Sequence, residues 1–80
     1  MDSKTIINEL QQLFERHFDM EDVVLSPETT SCDIRGWDSF AHVTLLGDIE
    51  GKFNINFSGF EIANFKTVGD IINSIAQKLC

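Results

Sequence analysis

The sequence predicts an all-α fold: a small bundle of three principal helices plus one short helix, with a long loop after the first. Three segments repeat apolar residues at three- and four-residue spacing, and cap-forming residues stand at their starts. The one alternating stretch, Phe53-Asn54-Ile55-Asn56-Phe57, is isolated and has no partner strand elsewhere in the chain.

The first helix runs from Ser3 to about Phe18. Ile6, Ile7, Leu10, Leu13, Phe14 and Phe18 form its apolar stripe, Ser3 is the expected N-cap, and Gln11, Gln12 and Glu15 face solvent. Periodicity then breaks from Asp19 to Trp37, where Ser26-Pro27-Glu28, Thr29-Thr30-Ser31 and Gly36 are turn chemistry. Val23, Val24, Leu25 and Ile34 should tether this loop to the core. Loops of such length are usually functional or disordered, and the anchors favour function.

The second helix opens at Asp38 or Ser39 and continues to about Phe53, with Phe40, Val43, Leu46, Ile49, Glu50 and Phe53 in register and Leu45 beside them. Asp38 suits the N-cap. Gly47 and Gly51, one turn apart, either weaken this helix or mark a face where something packs closely. Phe53–Phe57 reads as an extended linker. Ser58–Asn64 can form one short helix burying Phe60, Ile62 and Phe65. In the last helix Thr67 and Asp70 have the spacing of a capping box, and Val68, Ile71, Ile72, Ile75 and Leu79 form the stripe.

Eighty residues make one domain, spanning 1–80, without room for a deep enclosed active site. The net charge of −7 argues against nucleic acid or an anionic membrane as partner and favours basic protein surfaces. No apolar run approaches the ~20 residues that span a bilayer, and Met1-Asp2-Ser3-Lys4 does not open a signal peptide, so a cytoplasmic location is expected. Cys32 and Cys80 lack paired spacing and should be reduced thiols in a monomer.

Ser39 is the residue with chemical potential. In the first turn of a helix it is exposed, and a phosphate attached there would sit near unpaired N–H groups and the positive end of the helix dipole. On spacing alone a plain helix cap is the better reading of Asp38-Ser39, as it is for most Asp-Ser pairs in this setting.

Gly36-Trp37-Asp38-Ser39-Phe40, followed by Val43, Leu46, Ile49, Glu50 and Phe53, resembles the signature of the acyl carrier protein family around its phosphopantetheine attachment serine. Thr67-Val68-Gly69-Asp70 resembles that family's entry into the last helix, so the likeness spans nearly the whole chain. It implies that a phosphopantetheinyl transferase joins 4′-phosphopantetheine from coenzyme A to Ser39, with Asp38 assisting the transferase and its Mg²⁺ and Phe40 beside the attachment point. Acyl or aminoacyl groups would then ride on the arm as thioesters between loading, condensing and transferring enzymes. The chain itself would not be an enzyme. Phe40 stands where the family usually has Leu or Met. Ala41, His42, Thr44 and Lys52 dilute the acidic second-helix face of fatty acid carriers, leaving Asp48 and Glu50. With Trp37, this favours a carrier in polyketide, nonribosomal peptide or surface-polysaccharide assembly over one in fatty acid synthesis. Trp37, His42, Val43, Asp48 and Glu50 are the expected partner contacts.

Other readings of these residues are weaker. Asp38, Ser39 and His42 have the residue types of a hydrolytic triad, but an N-cap Asp38 leaves His42 without an orienting carboxylate. His42 should then be a surface or partner-contact residue, and His17 a solvated one. Asp19, Glu21 and Asp22 form a small acidic cluster without the spacing of a metal site, so no metal is expected. The seven phenylalanines either fill the core or line an expandable cavity for an attached chain. The rival function is an unmodified acidic helical module that binds proteins.

Overall fold

A computed structural model describes residues 2–18 and 23–79, so the cluster of Asp19, Glu21 and Asp22, and Cys80, lie outside the described residues. Four α-helices follow in order: α1 Ser3–His17, α2 Ser39–Phe53, α3 Gly59–Asn64 and α4 Val68–Leu79, with one 3₁₀ turn at Ser31–Asp33 in the first loop. Among the described residues there is no strand; of the linker expected over Phe53–Phe57, Phe53 ends α2 and Asn54 is its left-handed cap, so the irregular stretch begins at Ile55. The alternation still has a physical meaning: Phe53, Ile55 and Phe57 are buried while Asn54 and Asn56 are exposed.

The N-cap of α1 is Asp2, not Ser3; its carboxylate accepts from the Thr5 N–H at 2.9 Å, and Ser3 is already helical. The α1 stripe of Ile6, Leu10, Leu13, Phe14 and Phe18 is buried and packs against α2 and α4. Gln11 departs from the solvent face assigned to it. It accepts from the Leu25 N–H at 2.8 Å and donates to the Val23 carbonyl at 3.0 Å, clamping the loop onto α1.

The loop continues as a strap. Leu25 and Ile34 anchor it as expected, but Val24 is exposed, because the Gln11 clamp turns its two neighbours inward. Thr29 and Pro27 carbonyls accept the Val68 and Gly69 N–H groups at 2.9 and 2.8 Å, pairing donors that the first turn of α4 leaves open. Thr67 and Asp70 bond reciprocally there in the predicted capping box.

In α2, Asp38 is the N-cap and Leu45, Leu46, Ile49 and Phe53 face the core. Phe40 and Val43 do not belong to that stripe; they are 82% and 58% exposed. At about 100° per residue, the buried side chains centre on the row His42–Leu45–Leu46–Ile49–Phe53, and Phe40 lies nearly opposite. Two helical registers fit the apolar pattern, and packing on α1 selects one. Gly47 and Gly51 mark no close approach, since a Cβ at either would meet nothing within 4 Å. Asn54, in left-handed conformation at φ 56°, ends the helix.

Ser58 and Glu61 form a capping box that starts α3. Phe60, expected in the core, is 78% exposed, because this one-and-a-half-turn helix turns Ile62 and Phe65 inward instead. On α4, Val68, Ile71, Ile72 and Ile75 are buried and Leu79 is partly exposed. Phe14, Phe18, Phe53 and Phe57 are core residues.

Candidate functional site

The entrance of α2 is built by a reversal of the loop. Gly36 takes φ 89°, a conformation that favours glycine, and its carbonyl accepts from the Asp38 N–H at 3.0 Å. The turn sends Trp37 inward, where its ring stands edge-on to Phe14 at 5.1 Å and lies 6.3 Å from Phe18. Trp37 is thus a buried anchor beneath the site, not the surface contact its position suggested.

Asp38 and Ser39 emerge on the outside, both exposed. Oδ1 of Asp38 accepts from the Ala41 N–H at 2.8 Å, and its carbonyl accepts from the His42 N–H at 2.8 Å. The N–H groups of Ser39 and Phe40, in the first turn, have no partner within the helix. An anion on the Ser39 hydroxyl would meet them.

Beside Ser39 opens a groove of about 570 Å³ between α2 and the α3 segment. Ser39, His42 and Val43 line one side, and Ile62, Phe65 and Lys66 the other. The sequence pattern gave no sign of Lys66 or of the α3 wall. The Ser58–Glu61 capping box was the available signal, because it sets the register that turns Ile62 toward α2.

His42 is neither solvated nor free. Trp37 Nε1–H donates to its Nδ1 at 3.0 Å, and its Nε2 lies 3.0 Å from the Ile62 carbonyl oxygen. With both nitrogens engaged and Asp38 turned to its own helix, no Ser–His–Asp relay forms. His17, expected in solvent, is half-buried and pairs with Asp48 across α1 and α2. Glu50 is half-buried too, and its carboxylate accepts from the Phe57 N–H at 2.7 Å. Two acids expected to meet partners are therefore engaged within the fold. Phe40 and Val43 remain exposed beside Ser39. Among the described residues, no group of three His, Cys, Asp or Glu side chains is placed to hold a metal.

Comparison with known proteins gives a consistent result. No family model matches the chain. An acyl carrier protein of Exiguobacterium sibiricum is 28% identical over 79 residues, covering 99% of this chain and all of that one. The solution NMR structure of holo acyl carrier protein from Geobacter metallireducens is 34% identical with a TM-score of 0.82, over 91% of this chain and 84% of that one.

Proposed function

We infer the role of Ser39 from one premise: the chain belongs to the acyl carrier protein family. It is a carrier and not a catalyst, and the group such a carrier bears is 4′-phosphopantetheine. Ser39 is the attachment point in this reading, and one observation carries it: an exposed hydroxyl at the first position of α2, opening onto the groove.

The residues present fit the group. The Ser39 and Phe40 N–H groups and the α2 dipole favour a phosphodiester there, and Lys66 adds a positive charge to the groove wall. Attachment displaces one phosphoanhydride bond of coenzyme A. The Ser39 oxygen bonds to the phosphorus, 3′,5′-ADP leaves, and the hydroxyl proton passes to the transferase. Asp38 spends Oδ1 on capping, which leaves its second oxygen for a transferase-bound Mg²⁺. The arm supplies a terminal thiol that carries acyl or aminoacyl groups as thioesters, with a reach of about 20 Å by bond-length counting.

Partners are the transferase and enzymes that load, condense or transfer the acyl group. The outer face of α2 carries Phe40, Val43, Thr44, Gly47 and Gly51, with Asp48 and Lys52 exposed along one flank. That face supports service in a specialised polyketide, nonribosomal peptide or polysaccharide pathway, where partners read shape and apolar surface. No helix among the described residues is long and apolar enough to cross a membrane.

The test is intact mass after incubation with coenzyme A, Mg²⁺ and a broad-specificity transferase. A gain of about 340 Da is expected, as the formula of the attached group requires, and none in Ser39→Ala. No gain in the folded protein, or the same gain in the variant, overturns the assignment.

A further inference from the structure

We propose that His42 seals the gap between α2 and α3, so that a group carried on Ser39 stays in the open groove and the cargo is a short or polar acyl group, not a long alkyl chain. The inference rests on the assignment of Ser39 as the attachment point.

The hydrogen-bond chemistry of the ring is decisive. An indole N–H can only donate, so Nδ1 of His42 accepts from Trp37; a carbonyl can only accept, so Nε2 carries the proton toward Ile62. The imidazole is therefore neutral, in a single tautomer, and held at both ends across the gap. Aromatic rings extend the barrier: His42 lies 5.8 Å from Trp37 and 6.5 Å from Phe65, which stands edge-on to Phe57 at 5.2 Å. Beneath α2, Leu45, Leu46 and Ile49 have no exposed surface.

An alkyl chain passing from the groove into the core must push His42 aside. That leaves the Trp37 N–H and the Ile62 carbonyl without partners in a part-buried setting, which opposes entry. The groove itself mixes Ser31, Asp38 and Lys66 with Val43, Ile62 and Phe65, so it offers no all-hydrocarbon lining to a long chain. Nor do the phenylalanines offer an enclosure: Phe14, Phe53 and Phe57 fill the core, and Phe40 and Phe60 face solvent.

The experiment loads the protein from acetyl- and octanoyl-coenzyme A with the transferase, and intact mass verifies each product. Failure to load ends the carrier assignment and is recognised at this step. Hydroxylamine cleavage of each thioester is then measured against the same acyl group on free pantetheine, together with the methyl NMR signals of Leu46, Ile49, Ile71 and Ile75. Both thioesters should cleave within about twofold of their free references, since the rate follows the exposed fraction, and the core methyl signals should match those of the protein bearing the bare arm. In His42→Ala the octanoyl thioester should become at least about fivefold slower than its reference, with displaced core signals. Octanoyl protection in the unaltered protein overturns the proposal, and so does equal exposure in protein and variant. If His42→Ala does not fold, the ring ¹⁵N shifts of the unaltered protein decide: one fixed Nε2–H tautomer supports the seal, and exchange between tautomers overturns it.

Discussion

The carboxylate of Glu61 accepts a hydrogen bond from the Ser74 hydroxyl at 2.7 Å, fastening α3 to α4. The same carboxylate accepts from the Ser58 N–H at 2.9 Å and from Lys78 at 3.0 Å. The Ser58 N–H first, then Ser74 and Lys78, hold its pKa down at about 2 from an ordinary 4.5. A depressed carboxyl contributes stability that is fully present above its unfolded value and is lost as pH falls through its folded value. Glu61 should therefore support the fold above pH 4.5 and cease to do so by about 2. The melting temperature of Glu61→Gln should lie below that of the unaltered protein at neutral pH, and the gap should close across that window. A gap independent of pH would refute the attribution.

Asp38 combines two roles that one pair of substitutions separates. Asparagine is as good an N-cap as aspartate, whereas alanine costs about 1 kcal/mol at this position. Asp38→Asn should thus keep the melting temperature while losing the negative oxygen available to Mg²⁺. Loading by the transferase should fall by about tenfold or more in both variants, a loss of at least ~1.4 kcal/mol of transition-state stabilisation. Normal loading of Asp38→Asn would assign Asp38 to capping alone.

Two kinds of glycine should respond in opposite directions. A Cβ on Gly69 would meet the Pro27 carbonyl oxygen at 2.9 Å, against the backbone of the strap that closes the first turn of α4. Gly69→Ala should cost about 1–3 kcal/mol, as overpacking does. Gly47 stands in open space on α2, so Gly47→Ala should stabilise the helix by about 0.5–1 kcal/mol. Urea unfolding of the two variants measures both signs.

The helices were legible because local rules wrote them: caps at Asp38 and Thr67 and apolar spacing between. Asp38 and Ser39 could be read for the same reason, since they lie together at a helix start. What could not be read depends on contacts distant in sequence. Trp37 is a core residue only because Gly36 turns it beneath the site, and His42 acts as a bridge only because Ile62 arrives from another helix. Phe40 and Val43 fall outside the buried stripe because two registers of α2 satisfy the same apolar pattern and packing on α1 selects the other. Lys66 enters the groove through the path of the chain after α3, which periodicity does not describe.

Phe40 and Trp37 flank the Asp38–Ser39 pair and should differ sharply when truncated. Phe40 is 82% exposed, so Phe40→Asn removes little buried surface and should change stability by less than about 0.5 kcal/mol. Trp37 is 8% exposed and touches Phe14, Phe18 and His42, so Trp37→Ala should cost about 3–5 kcal/mol. Their effects on loading should reverse that order at matched folded fraction. A large exposed ring next to the attachment point is the kind of side chain that anchors a protein contact, and its loss should lower kcat/KM with the transferase by about tenfold. Loading of Phe40→Asn at the unaltered rate would show that the transferase does not read this ring, and would leave Val43 as the exposed apolar contact on α2.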